Sequence, residues 1–366
     1  MSQQSTPVAR AHPTSVQSGR PWLARLLPKL VISLALGALF AFLVHKGGVP
    51  LLPPAAGLRS LEPWAVPVYL LSLLFVHFFR ASRWRFLIAP VRRVPFKDVI
   101  ALNFVGFFAI FALPLRLGEI ARPALTKIRY GIPISVGLGT VAVERVIDGL
   151  VTSLCVTWAL FALPRVQSRD PIAAHLPTYG YAALLFFAAA FAALGMFLWQ
   201  RELALRLTRL TLGLLAPKLA ETLATKVSNV ADGIRSISDV RLALGFLVES
   251  ALYWGCNAVG VWLLAVGCGL PLGLGHAAAI MGVLAIGILL PSGPGLFGNF
   301  QLAVSAALRL YLAEDLVGTQ GAVFIFLLYV LQSSVMVIAG VIPLYAQKLR
   351  LTDLMTLPET DRPPAG

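Results

Sequence analysis

The chain has 366 residues, of which 58% are hydrophobic and only 13% charged, with a mean hydropathy of +0.82. A soluble domain carries about a quarter charged residues, so this composition excludes the soluble enzyme classes and places the chain in a bilayer. The net charge of +14 would suit nucleic acid, but the bases sit in short segments between apolar stretches. That is the positive-inside pattern of a membrane protein, and nucleic acid is not an expected partner.

Residues 1–25 are polar, contain Pro and Ser, and read as a disordered cytoplasmic segment. A membrane-crossing helix needs about 20 apolar residues. Runs near that length occupy residues 30–45, 66–88, 136–163, 179–199, 242–266 and 321–346, the first of them short. Two further runs, 99–113 and 277–290, are shorter. Each ends in Leu-Pro (Leu113-Pro114 and Leu290-Pro291), followed by a Gly-containing polar stretch and a second short apolar segment. An amphipathic linker, 200–241, joins the halves 26–199 and 242–350, and residues 351–366 form a cytoplasmic tail.

The bases orient these runs. Arg25 and Lys29 precede the first; Arg80, Arg83, Arg85, Arg92, Arg93 and Lys97 close the second. A basic cluster fills the linker, and Lys348 and Arg350 follow the last run. The positive-inside rule puts all four groups, and both termini, in the cytoplasm. The segment 97–130 then enters and leaves on the inner side, and 277–312 enters and leaves on the outer side. The fold expected is all-α and polytopic, with about six full spans and two opposed re-entrant hairpins. The alternative is that both arms of each hairpin cross. Short Gly/Pro-broken segments at matching places in two halves suggest an inverted repeat with a substrate site where they meet.

Charge inside such a chain is informative. At the first hairpin, Pro114 removes a donor and breaks the helix. The helix restarting near Glu119 presents free amides and a positive dipole end, ready for an anion. Arg116 and Arg122 add forked guanidinium groups suited to phosphate. In VAVERVIDGL, Glu144 and Asp148 share a helix face and Arg145 neighbours Asp148. Each such charge costs at least ~2.5 kcal/mol at the bilayer centre, so these acids need partners, and Arg116 or Arg122 is the expected one. The plainer reading is a structural ion pair locking hairpin to neighbour.

Glu249, Tyr253 and Asn257 fall on one helix face and can line the same cavity or bond to a neighbouring helix. Arg80, Arg83 and Arg85 are expected to snorkel to the inner headgroups. The second hairpin tip offers Ser292, Pro294, Gly295, Gly298, Asn299 and Gln301 to a headgroup, or merely shapes a tight turn. His77 and His276 stand alone and Cys155, Cys256 and Cys268 are scattered, so no metal site, disulfide or cofactor is expected. The chain contains no G-x-x-x-x-G-K-[ST] stretch for binding ATP.

Four motifs occur in order: RxxRW at Arg80–Trp84, LPxRxGExxR at Leu113–Arg122, ER..D at Glu144–Asp148, and PxxPGxxG from Pro291, with Gln301 close behind. Together they resemble the flippase-like transmembrane family that includes the membrane half of lysylphosphatidylglycerol synthase, over about residues 25 to 350. Where that family often carries glutamate after the last motif, this chain has Gln301. The resemblance implies translocation or binding of an anionic lipid or a polyprenyl-phosphate-linked lipid in a bacterial inner membrane. In the synthase, aminoacyl transfer belongs to a separate soluble domain. Only residues 351–366 follow Arg350, so transferase activity is not expected and the chain is not expected to be an enzyme. On this reading Arg116, Arg122 and Arg145 hold the phosphate, while Glu119, Glu144 and Asp148 orient the arginines or exchange protons. The rival readings are an intramembrane lipid-modifying enzyme and a non-transporting partner of a lipid- or glycan-synthesis enzyme.

Overall fold

The computed structural model describes residues 22–46, 52–113, 118–164, 171–199, 239–289 and 294–346. Among them all regular structure is helical. In order these helices are α1 (Trp22–Lys46), α2 (Ala55–Leu58), α3 (Ala65–Ser82), α4 (Trp84–Ile88), α5 (Phe96–Ala112), α6 (Ala121–Tyr130), α7 (Ile134–Ala162), α8 (Pro171–Trp199) and α9 (Val240–Gly267). They continue with α10 (Leu274–Gly287), a 3-10 turn (Pro294–Leu296), α11 (Asn299–Leu308), α12 (Glu314–Gly318) and α13 (Gln320–Ala346). The expected hairpin turns at Pro114 and Pro291, Arg116, Ser292, most of the amphipathic linker and the C-terminal tail lie outside the described residues.

Five segments are long and apolar enough to cross a membrane: Ala65–Ile88, Ile134–Ala162, Ala174–Ala193, Val240–Gly267 and Gln320–Ala346. They correspond to five of the six long apolar runs. The remaining run lies in α1, whose apolar part, Leu30–Leu43, is shorter. In lipid every backbone polar group must bond within its own segment, so these runs have no alternative to helix. Their boundaries are set locally. Pro95 and Pro133 immediately precede α5 and α7. Asp239 accepts a hydrogen bond from the Arg241 amide at the start of α9 (2.9 Å). Gly131 ends α6 at φ +66°, the left-handed position a side chain would strain.

The short runs form two antiparallel helix pairs. In the first, Gly106 of α5 lies against Arg122 of α6, and Gly118 against Ala109 and Ile110. In the second, Gly287 of α10 lies against Ala303 of α11, and Asn299 donates to the Gly287 carbonyl (3.3 Å). The major interhelical packings are α8 on α7, α3 on α9, α5 on α13, and α10 on α7. The last two are close because glycine is there. A Cβ at Gly340 of α13 would fall 2.2 Å from the Cβ of Phe108, and one at Gly282 of α10 would fall 2.7 Å from the Thr152 carbonyl oxygen.

Two large apolar cores result. One gathers Tyr69, Leu264, Ile280 and Phe324; the other gathers Trp84, Leu102, Leu125 and Val143. A smaller cluster joins Val76 of α3, Tyr253 and Trp254 of α9, and Met281 of α10. The two hairpins approach each other: Gly295 of the 3-10 turn packs against Phe111 near the end of α5, and its carbonyl accepts from the Tyr329 hydroxyl (3.1 Å).

Candidate functional site

The charged residues between the two cores sort into closed pairs and open cations. Arg122 and Glu144 form the first closed pair, both nearly inaccessible. Arg122 Nη1 donates to Glu144 Oε1 (3.2 Å), Nη2 donates to Oε2, and Nη1 also donates to Asn103 Oδ1 (2.6 Å). Asn103 is oriented by its own donation to the Val99 carbonyl (2.8 Å). The Arg122 guanidinium lies over the Trp84 ring (5.2 Å), whose Nε1 donates to Thr140 (3.0 Å). One pair thus ties α4, α5, α6 and α7 together.

Asp148 makes the second closed pair, with Arg83. Arg83 Nη1 donates to Oδ1 (2.7 Å) and Nη2 to Oδ2 (2.6 Å), and Trp254 Nε1 also donates to Oδ1 (3.0 Å). Arg83 further donates to Ser250 Oγ (3.1 Å). Glu144 thus meets Arg122 as expected, while two expectations are corrected among the described residues: Asp148 pairs with Arg83 and not with Arg122, and Arg83, 1% exposed, does not snorkel. The cause is that the helical path continues through α4 to Ile88. Arg83 is therefore more than a turn short of the end, on the face that packs on α9. Arg85 keeps contact with solvent: its side chain is 41% exposed, and it pairs with Glu249 (2.5 Å). Ser82 also donates to Glu249.

Beside these pairs opens a cavity of about 590 Å³. Its polar end carries Arg80, Glu119, Arg145, Asp148, Tyr253 and Asn257; its apolar wall includes Phe187, Val261, Ile280, Leu284 and Leu328. Asp148 is at the midpoint of α7 and Tyr253 at that of α9, so the polar end lies near the middle of two spanning helices. Among the described residues, neither Arg80 nor Arg145 has a carboxylate within ion-pairing distance. Arg80 rests over the Phe107 ring (4.2 Å), and the buried Arg145 Nε has no hydrogen-bond partner. The wall reaches the outer surface at Phe186, which lines the cavity and is itself exposed. A recess of about 10 Å³, room for one water, lies between Glu119, Arg122 and Arg145.

The family model for the lysylphosphatidylglycerol synthase TM region matches residues 29–340. The chain belongs to that family. Comparisons with curated proteins and with solved structures find no match. Membership and the apolar helices together make the chain a multi-pass membrane protein with a membrane-lipid-related function.

In this lysylphosphatidylglycerol synthase TM-region protein the whole cavity, from Arg80 to Gln332, falls inside the matched region. Of the residues singled out in the sequence, Glu119, Arg145, Asp148, Tyr253 and Asn257 come together in the cavity. Arg122 and Glu144 close on each other next to it, and Glu249 turns away to Arg85. Pro294, Gly295, Gly298, Asn299 and Gln301 do not line it. Gln301 Oε1 accepts from the Gly298 amide (2.7 Å), so that residue caps its own helix. Gly298, at φ +89°, packs on Phe40 and Ala41 of α1. The sequence reading missed Arg80, Trp254 and Gln332. The signal for Arg80 was present: it shares one helix face with Arg83 and Trp84, both of them buried.

At the mouth of the first hairpin, Tyr130 donates to Asp98, Arg129 pairs with Asp98 (3.8 Å), and Arg92 donates to the Tyr130 carbonyl. Burial, and then the bond to Asp98, push the Tyr130 phenol up to about 12.

Proposed function

We propose that this protein binds the phosphate of an anionic or polyprenyl-phosphate-linked lipid near mid-bilayer and moves that lipid between the leaflets of the inner membrane. The observation that carries the reading is the pair Arg80 and Arg145. Among the described residues these two guanidinium groups have no carboxylate within ion-pairing distance, and they sit at the polar end of a cavity whose apolar wall extends to the exposed Phe186. A half-buried cation near mid-bilayer is costly without a counter-charge, and a phosphate supplies the missing charge in the bidentate geometry guanidinium prefers. In this reading Arg80 and Arg145 touch the phosphate. The Arg122–Glu144 and Arg83–Asp148 pairs are positioning elements that hold α3, α6, α7 and α9 around it.

The helix lengths support re-entrant hairpins. At 1.5 Å per residue, the 17 and 10 residues of α5 and α6 reach about 25 and 15 Å. The 14 and 10 residues of α10 and α11 reach about 21 and 15 Å. None of these equals the roughly 30 Å hydrocarbon core. An inverted repeat is supported by exchange of contacts. The long arm of the first hairpin packs on α13, and that of the second packs on α7, with the cavity between the halves. The distribution of bases supports a cytoplasmic side for both termini. A lipid- or glycan-synthesis enzyme is the proposed partner, supplying or consuming the lipid.

The test is translocation of fluorescent phosphatidylglycerol by the purified chain in liposomes. Arg80→Gln and Arg145→Gln should each slow it by tenfold or more while the size-exclusion profile stays that of the parent. Transport at parental rate by both variants would refute the site. Covalent change of the lipid during the assay would assign the chain to the enzymes instead.

A further inference from the structure

We infer that the cavity selects a net-anionic lipid whose phosphate carries a neutral, hydroxylated headgroup, and that it rejects an aminoacylated, cationic one. The inference rests on the lipid-binding reading above and narrows its substrate.

Charge gives the first half of the argument. Arg80 and Arg145 are open, whereas both oxygens of Asp148 are already taken by Arg83 and Trp254. Glu119 has a partner of its own. An ammonium group entering here would meet two like charges and acids that are already engaged, which disfavours it.

The amides give the second half. Asn257 of α9 and Gln332 of α13 line the cavity, and neither has a hydrogen-bonding partner among the described residues. Asn257 lies one turn beyond Tyr253 on the same face, and the Tyr253 ring is 6.0 Å from the Arg80 guanidinium. A phosphate held by Arg80 would therefore leave Asn257 to meet the headgroup beyond it. A side-chain amide offers both a donor and an acceptor. A hydroxyl, which both donates and accepts, can use both sides of an amide, whereas a phosphate oxygen uses only its N–H and an ammonium only its carbonyl, so the pair suits an alcohol-bearing headgroup. Phe187 and Leu284 on the wall suit the start of the lipid chains, which separates a lipid from a soluble phosphate ester.

The experiment is competitive native mass spectrometry on the full chain in mild detergent. The probes are short-chain phosphatidylglycerol, phosphatidic acid and lysylphosphatidylglycerol, with glycerol 3-phosphate as a soluble competitor. Phosphatidylglycerol should bind more than tenfold tighter than its lysylated form. Asn257→Leu and Gln332→Leu should each weaken phosphatidylglycerol by about fivefold, the worth of one hydrogen bond, and leave phosphatidic acid unchanged. Equal binding of the lysylated lipid would overturn the inference, as would an equal loss of phosphatidic acid in both amide variants. Displacement by glycerol 3-phosphate at the affinity of the lipid would assign the site to a soluble ester. Failure of both anionic lipids to bind would sink the lipid-binding reading itself, whereas binding without discrimination would sink only this narrowing.

Discussion

Replacing Asp148 with asparagine separates a structural acid from a proton carrier. The carboxylate accepts three hydrogen bonds, two of them from Arg83, which is 1% exposed. Asparagine keeps the shape and one acceptor oxygen, so Trp254 retains its bond. Arg83 loses its counter-charge and one prong of the fork. A buried charge stripped of its partner costs about 3–5 kcal/mol, and hydrogen bonds to charged groups are worth roughly 1.5–3 kcal/mol each. The two estimates agree on the order of the loss. The single variant should therefore unfold at markedly lower temperature in detergent. The double variant Arg83→Met with Asp148→Leu should recover most of that loss, because apolar groups of similar volume replace a buried pair at little or no cost. The double variant should also still move lipid, since Arg80 and Arg145 remain. The assay is thermal unfolding followed by size-exclusion, alongside liposome translocation. Parental stability with abolished transport in Asp148→Asn would refute the reasoning and make Asp148 a proton carrier.

Arg122→Lys should lower folded yield more than lipid affinity, because it breaks the fork to Glu144 and Asn103 rather than a headgroup contact; lost lipid binding in a well-folded variant would return Arg122 to the phosphate. Tyr130 is held above its ordinary value of 10.0, at about 12, so its bond to Asp98 stabilises fully below pH about 10 and is lost as pH rises through about 12. Tyr130→Phe should abolish that alkaline loss, read as labelling of a cysteine placed at Ile128. With the native cysteines replaced by alanine, single cysteines at Lys97 and Lys127 should label from the same face. One at Leu115 should stay shielded from the opposite face, and ready labelling there would favour crossing helices.

The sequence by itself determined where most of the helices lie. Apolar runs at 136–163, 242–266 and 321–346 became Ile134–Ala162, Val240–Gly267 and Gln320–Ala346, because an apolar run of that length in lipid can satisfy its backbone only as helix. It also marked Glu144, Arg145 and Asp148 as costly charges in need of partners. It did not determine which partner each would take. Arg83 rather than Arg122 meets Asp148 because α3 packs along α9 and brings its last turn to the middle of α7. That crossing depends on close contacts such as Gly260 against Ser72 and Gly267 against Ala65, which lie far apart in the chain. Once Arg122 and Arg83 had closed on their acids, Arg80 and Arg145 were left open to the cavity. Sequence can count charges and place them on a helix face; only the tertiary packing decides which charges neutralise each other and which face the space between the helices.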